Sequence, residues 1–277
     1  MKSALNTSNQ HIILENSNLL KQNTQSLIKK AKIHSDLTSQ LLSKLKIQSL
    51  PVSTLEPMFR SILDQNPNFS AIYIALLNGH FFMLQKHQDG YISKLIKNQN
   101  SILIYKDKHQ NIQKRNQLTK DNYDPRSRPW FQKTLKLKKS FISDIYIFFT
   151  KQSLGITVTH PVLNSKQIKG IVGIDIALDS LAKQTLETKE TSSIDSMIVD
   201  ENNLVIAAPS LANQAQPLKT LPNIKTLSDS PAKRAYLNYI IKPQESFSYF
   251  YKNDLFSASV IPFSVIKGKT WFLVASI

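Results

Sequence analysis

Tyr123-Asp124-Pro125-Arg126-Ser127-Arg128-Pro129-Trp130-Phe131 holds two of the chain's five arginines (Arg60, Arg115, Arg126, Arg128 and Arg234) between two prolines and three aromatic side chains. The remaining positive charge is lysine. A guanidinium presents a planar fork of donors that matches a carboxylate, whereas an ammonium is a flexible point charge. Proline fixes its own φ and restricts the residue before it, so side chains in this segment are held in one arrangement. Arginine placed in a rigid aromatic frame, in a chain that otherwise uses lysine, points to a geometrically defined anion site.

Outward from that segment, composition narrows the classes. At 277 residues the chain suffices for one large domain or two small ones. The longest apolar runs, 171–178 and 271–277, are strand-sized, and Met1-Lys2-Ser3-Ala4-Leu5 lacks the apolar core of a signal peptide. This predicts a soluble protein or the soluble piece of a membrane protein. The absence of cysteine removes disulfides, thiol catalysis and thiolate metal sites, and it suits an oxidising compartment. The formal charge of +16 has two readings, nucleic-acid binding or a solvated lysine-rich surface. The lysines are spread along the chain and no nucleic-acid motif is present, so no nucleic-acid partner is expected; the charge would still concentrate anionic ligands.

Residues 8 to about 48 contain neither Gly nor Pro, and apolar residues recur as Ile12/Ile13, Leu19/Leu20, Leu27/Ile28, Leu37, Leu41 and Leu45. This predicts a long amphipathic helix of about 60 Å closed by Pro51. Its apolar stripe either meets a partner helix in a homodimer or lies along both domains of its own chain. A second helix is expected over 53–63 with Ser53 or Thr54 as N-cap. Strands at 71–77 and 81–85 flank an Asn78-Gly79 turn. Residues 86–122 read as loops and irregular strands covering a site, and 130–136 as a short helix after Pro129. Strands follow at 140–149, 155–163 and 168–178, with Gly170 and Gly173 permitting close approach in the last. After a helix over 179–189 the pattern restarts: a hairpin around Glu201-Asn202-Asn203, a polar stretch with Pro209, Pro217 and Pro222, a helix over 232–241, strands at 245–252 and 255–263, and a last strand at 269–277. Each half reads hairpin, polar covering segment, helix, strands, with the boundary near 185–192.

Three motifs in this order, the 123–131 segment, Gly-Ile-Thr-Val-Thr-His-Pro-Val (155–162) and Gly-Ile-Val-Gly-Ile-Asp-Ile-Ala-Leu (170–178), resemble the double Cache sensor domain, the extracytoplasmic ligand-binding part of many bacterial chemoreceptors and sensor enzymes. The resemblance implies an α+β fold: a long N-terminal helix over 1–50, then two PAS-like modules, each an antiparallel sheet flanked by helices. It makes 51–190 the membrane-distal module and 191–277 the membrane-proximal one. It implies the extracytoplasmic portion of an inner-membrane receptor, with Trp271–Ile277 ending where a second membrane helix usually begins. Cytoplasmic signalling partners would act only through parts outside this chain. In the amino-acid-binding branch, a Tyr, an Arg, a Trp, a second Tyr and an Asp surround the ligand; these places fall on Tyr123, Arg128, Trp130, Tyr146 and Asp175. The branch tends to carry Tyr where this chain has Phe131, so one hydroxyl is missing.

The chemistry of these residues suits a small carboxylate, an amino acid or a short hydroxy acid such as lactate. Arg128 can grip the carboxylate in a bidentate pair, the indole N–H of Trp130 adds a donor, and Asp175 with the tyrosine oxygens can accept from an ammonium group. The alternatives are a structural Arg128–Asp175 ion pair and core packing of Tyr123 and Tyr146; Arg126 is expected to face solvent or cap a strand. A second site in the proximal module is sketched by Asn213, Tyr236, Tyr249 and Tyr251, against the alternative of an ordinary aromatic core. The six histidines show no metal-ligand spacing and no nucleophile–base pair is evident, so neither a metal, a cofactor nor an enzyme is expected. The rival to a receptor is a soluble binding protein with no receptor attached.

Overall fold

A computed structural model of the chain describes residues 2–88, 90–186, 194–212 and 218–277. The chain divides into two compact units, one of Ile28–Tyr146 with Gly155–Ala177, the other of Met1–Leu27, Ile147–Leu154 and Leu178–Ile277. The helix α1 (Lys2–Ser43) contributes its second half to the first unit and its first half to the second.

Ile13, Leu20, Leu27, Ile28 and Leu42 form the buried stripe of α1. Leu37, Leu41 and Leu45, which belong to the same sequence pattern, instead face outward, at 56%, 49% and 39% exposure, beside Ile33 at 47%. The 3.6-residue period explains the split: a stripe begun at spacing seven drifts around the helix, so leucines at spacing four from position 37 fall on another face. The helix stops at Ser43, short of Pro51; a single 3-10 turn, Ile47–Ser49, intervenes. Pro51 is instead the N-cap of α2 (Val52–Gln65), so neither Ser53 nor Thr54 caps it, and Asn66 ends it.

In the first unit, β1 (Ala71–Leu76) and β2 (Phe81–His87) form a hairpin in which Gly79 takes φ +87 and donates to Leu76 O at 3.0 Å. Residues 86–122, expected as irregular cover, are a regular meander: β3 (Gly90–Lys97), β4 (Asn100–Lys106) and β5 (Ile112–Leu118). Asn98 and Gln99 both adopt left-handed backbone (φ 50 and 64), which turns β3 into β4 without a glycine. The edge strand β5 has no buried residue, so no apolar alternation announces it. The chain then crosses to α3 (Pro129–Leu137), β6 (Phe141–Ile142) and β7 (Tyr146–Ile147). These two short strands replace the single one expected over 140–149. Two long strands complete the unit, β8 (Leu154–Asn164) and β9 (Gln167–Ala177), in a sheet of order β5-β4-β3-β2-β1-β9-β8-β6, with β7 also paired to β8. All the pairings of β1 to β6, β8 and β9 are antiparallel. One face of β1 and β9 carries Ala71, Tyr73, Ala75 and Ile171 into a core with Phe81, Met83, Ile96, Trp130 and Phe131.

The second unit opens with α4 (Leu178–Leu186). Its sheet comprises β10 (Asp195–Asp200) and β11 (Val205–Ala207), then, after α5 (Pro209–Ala212) and α6 (Pro231–Ile241), β12 (Ser246–Tyr251), β13 (Asp254–Phe263) and β14 (Trp271–Ser276). The order is β11-β10-β14-β13-β12. The β12–β13 turn is Lys252-Asn253, one residue earlier than the expected Asn253-Asp254, and both residues have positive φ. Ser17 of α1 meets Ser259 of β13 in a buried hydroxyl pair. The chain is thus a long N-terminal helix with two antiparallel sheets flanked by helices. Among the described residues no helix is long and apolar enough to cross a membrane.

Candidate functional site

The segment from Asp121 to Arg128 is a strap fastened to the first unit's sheet. Asp121 N–H donates to Gln99 O at 2.7 Å, and its carboxylate pairs with the Lys94 ammonium at 2.9 Å, both side chains being more than nine-tenths buried. Asp121 Oδ1 also accepts from Tyr123 N–H at 2.9 Å. Burial pushes the Asp121 carboxyl up, but the Tyr123 N–H bond and the Lys94 ammonium work against it and the carboxyl is held low. Asp124 accepts from Arg126 N–H and caps the one-turn 3-10 helix Pro125–Ser127. It also grips the Arg126 guanidinium through bonds of 2.8–3.1 Å. That guanidinium lies over Gly79, where an added Cβ would come within 3.2 Å of Arg126 Cζ. Arg126 is therefore a surface fastener: it faces solvent, as expected, and its partner is Asp124.

Past this clasp the chain is extended at Arg128 (φ −79, ψ 141), which is the N-cap of α3, and Pro129 begins the helix. The geometry sends Trp130 and Phe131 into the core, at 1% and 2% exposure. Arg128 stays half-buried. Its guanidinium carbon is 5.9 Å from the Tyr123 ring centroid and 6.0 Å from that of Tyr146, within cation–π range of both. Among the described residues no side chain forms a hydrogen bond or ion pair with that guanidinium. The Lys94 ammonium sits 4.8 Å from the Tyr123 ring.

Beneath lies Asp175, buried on β9. The register places Thr157 of β8 opposite it and Tyr73 of β1 opposite Gly173. Asp175 Oδ1 accepts from Thr157 Oγ1 at 2.6 Å and from Tyr73 OH at 3.0 Å. Tyr146 OH lies 2.6 Å from Thr157 Oγ1. Burial pushes the phenols of Tyr73, Tyr123 and Tyr146 up, Asp175 raises all three further, and Arg128 pulls Tyr123 and Tyr146 back down. Both outer tyrosines thus feel a cation and an anion together. Tyr73 packs on Trp130 (centroids 5.0 Å apart) and Phe81 (5.5 Å), and Phe81 on Tyr123 (5.3 Å). Beside the strap is a cleft of about 510 Å³ walled by Tyr123, Asn122, Asn78, Asn98, Gln99 and Arg126.

The structure brings Tyr123, Arg128, Trp130, Tyr146 and Asp175 to one place on the sheet. Trp130 contributes a packed core ring there. Tyr73, Thr157 and Lys94 belong to the same cluster and were not legible from their own neighbourhoods. The one available sign was Thr157 and Thr159, two hydroxyls on the same side of an otherwise apolar strand.

In the second unit, Tyr236, Tyr249 and Tyr251 lie in the core. Tyr249 OH donates to Pro231 O at 2.6 Å and meets Ser276 Oγ at 2.7 Å, and burial pushes its phenol up to about 12. Tyr236 packs on Tyr239 and Phe272, and Tyr251 meets Phe256 edge-on. Asn213 lies outside the described residues. No group of three or more His, Asp or Glu side chains suited to a metal occurs among the described residues.

Residues 55–183 match the family described as methyl-accepting chemotaxis protein-like, first PDC sensor domain. Two curated receptors are similar over short stretches. PscA of Pseudomonas syringae pv. tomato is 34% identical over 62 residues, 22% of this chain and 10% of that protein. McpB of Bacillus subtilis is 30% identical over 88 residues, 31% of this chain and 13% of that one. The matched stretch is thus about a tenth of the length of these relatives. Solved structures match over almost the whole chain. The ligand-binding domain of Campylobacter jejuni Tlp3 with L-valine is 17% identical with a TM-score of 0.63, covering 99% of this chain and 94% of that one. That of Pseudomonas aeruginosa PctC with GABA is 14% identical with a TM-score of 0.57, covering 97% and 99%. That of Pseudomonas fluorescens CtaA with L-isoleucine is 16% identical with a TM-score of 0.56, covering 100% and 94%.

By fold the chain is similar to the solved ligand-binding domains of these chemoreceptors. Over residues 55–183 it is similar to the methyl-accepting chemotaxis protein-like PDC sensor domains.

Proposed function

We propose that this chain is the extracytoplasmic sensory part of an inner-membrane chemoreceptor and binds a small carboxylate, an amino acid or a short hydroxy acid, in the module that contains Arg128. The observation that carries the reading is the Arg128 guanidinium. It is half-buried between two phenol rings, without a hydrogen-bond or ion-pair partner of its own among the described residues, in a cluster that also holds a buried carboxylate. A half-desolvated charge left in that state is costly unless an anion completes it. A ligand carboxylate takes the fork bidentately, and an ammonium group meets Asp175 and the tyrosine oxygens. The similar domains solved with L-valine, GABA and L-isoleucine support the same ligand class.

Signal transfer follows from differential affinity: ligand favours whichever packing of the strap and α1 closes around it. The outward stripe of Ile33, Leu37 and Leu41 on α1 supports a homodimer through that helix. In the second unit the Asn213, Tyr236, Tyr249 and Tyr251 site is the weaker of the two, because the Tyr249 hydroxyl is already engaged twice.

Calorimetric titration with a panel of amino acids and short hydroxy acids tests the proposal. Heat from at least one ligand is expected, with affinity lost in Arg128→Ala and lowered about tenfold or more in Arg128→Lys, which cannot form the fork. A folded protein that gives no heat with any of them, or an affinity untouched by Arg128→Ala, would sink it.

A further inference from the structure

We propose that Thr157, a residue no ligand need touch, sets the selectivity of the Arg128 site for an ammonium group over a hydroxyl. The argument rests on the carboxylate-binding reading above and follows the hydroxyl protons.

Thr157 is fully buried and carries one proton. Its Oγ1 lies 2.6 Å from Asp175 Oδ1, a carboxylate oxygen that only accepts, so the threonine proton is committed there. Tyr73 lies 3.0 Å from the same Oδ1 and 3.4 Å from Thr157 Oγ1, and its proton goes to the shorter, charge-assisted bond. Tyr146 OH is 2.6 Å from Thr157 Oγ1. With the threonine proton spent on Asp175, Tyr146 is the donor in that pair. The chain therefore runs in one direction, Tyr146 to Thr157 to Asp175, and each bond polarises the next. What Tyr146 can offer a ligand is then an acceptor lone pair and never a proton. Burial, which keeps the Tyr73 and Tyr146 phenols protonated, keeps the protons of this chain in place.

An acceptor-only lip beside a carboxylate suits a group rich in donors. An ammonium brings three protons and a charge, and a hydroxyl brings one proton together with lone pairs that the lip cannot serve. The Arg128 end treats the two ligand types alike, since both present a carboxylate. The distinction between an amino acid and the hydroxy acid of the same skeleton is thus made at the relay, and the relay is oriented by Thr157.

The test measures affinities for pairs that differ only in this group, alanine with lactate and valine with 2-hydroxyisovalerate. It uses the wild-type chain, Thr157→Val, Thr157→Ser and Tyr146→Phe. Thr157→Val keeps the shape and frees the Tyr146 proton; the amino-to-hydroxy preference is expected to fall about tenfold or more, as one charge-assisted bond would give. Thr157→Ser restores the relay and is expected to keep the wild-type ratio. Tyr146→Phe leaves Thr157 and Asp175 joined and is expected to weaken amino acids while sparing hydroxy acids; it also serves if Thr157→Val fails to fold. An unchanged ratio in both Thr157→Val and Tyr146→Phe, or a wild-type chain that prefers the hydroxy acids through Arg128, overturns the role of Thr157 and leaves the carboxylate reading standing. Binding that ignores Arg128→Ala defeats both.

Discussion

Gly173 sits on β9 opposite Tyr73, and a Cβ built there would lie 2.2 Å from Tyr73 Cε2, 2.5 Å from Cζ and 2.7 Å from the hydroxyl oxygen. No small side-chain adjustment relieves three such clashes, and Tyr73 is 2% exposed, wedged against Trp130 and Phe81. In Gly173→Ala, either β9 bows away or Tyr73 leaves its seat and its bond to Asp175. Overpacking a core costs about 1–3 kcal/mol, and a lost hydrogen bond to a charged group about 1.5–3 kcal/mol. A loss of about 2–4 kcal/mol is expected, read as a lower urea midpoint and a Tm lower by roughly 5–15 °C. Gly173 has ordinary strand φ, so the cost belongs to the clash and not to the backbone. A double-mutant cycle isolates it: in a Tyr73→Ala background the same change should cost less than about 0.5 kcal/mol. The reasoning fails if Gly173→Ala is neutral, or if it is equally damaging with and without the Tyr73 ring.

Two further outcomes follow from α1. Burial lowers the affinity of His160 and His34 for protons below their ordinary value of 6.5, against the raising effect of Asp36 on His160 and with the help of Lys32 and Lys30 respectively. The unfolded chain then binds more protons, so stability is full above 6.5 and falls as pH drops through it. The urea midpoint should decline between about pH 7.5 and about pH 5.5 and decline less in His160→Gln; identical slopes would refute the link. Leu37, 56% exposed, lies on the proposed dimer stripe. Leu37→Glu should shift the sedimenting species from dimer to monomer with the melting temperature of the monomer unchanged, and a wild-type chain that stays monomeric at every accessible concentration would remove the interface.

How much of this was legible depended on whether the signal was local. The Asn78-Gly79 turn, α2, α3 and the paired strands 154–164 and 167–177 announce themselves by turn chemistry, proline position and apolar runs. The meander over 90–118 does not. Its turn uses Asn98 and Gln99 where a glycine would have been a signal, and β5, Ile-Gln-Lys-Arg-Asn-Gln-Leu, has no inward face to write an alternation. That strand exists because β4 offers it hydrogen bonds, which is a property of the partner. The site divides the same way. Arg128 stands out by rarity, and Tyr123, Tyr146 and Asp175 enter through the family resemblance, whereas Tyr73 and Thr157 join the site only through register: each is an unremarkable strand residue until β9 is laid between β1 and β8. The outward turn of Leu37 and Leu41 was likewise hidden, because a leucine every fourth position does not say which side of the rod the sheet will take.

The strap has a consequence for how a domain of this fold diversifies. Along one short segment, Asp121, Asp124 and Arg126 are fasteners, tied to Lys94, Gln99 and the Gly79 turn. Tyr123, Arg128 and the residues around them are probes, whose rings and guanidinium face one another. The two sets meet at Tyr123, whose N–H donates to Asp121 and whose ring lies by the Lys94 ammonium, whereas the Arg128 guanidinium bonds to none of the fasteners, so a mutation of Arg128 leaves the anchorage intact. On the proposed reading, ligand preference can therefore be retuned at Arg128 while the clasp that holds the strap stays as it was.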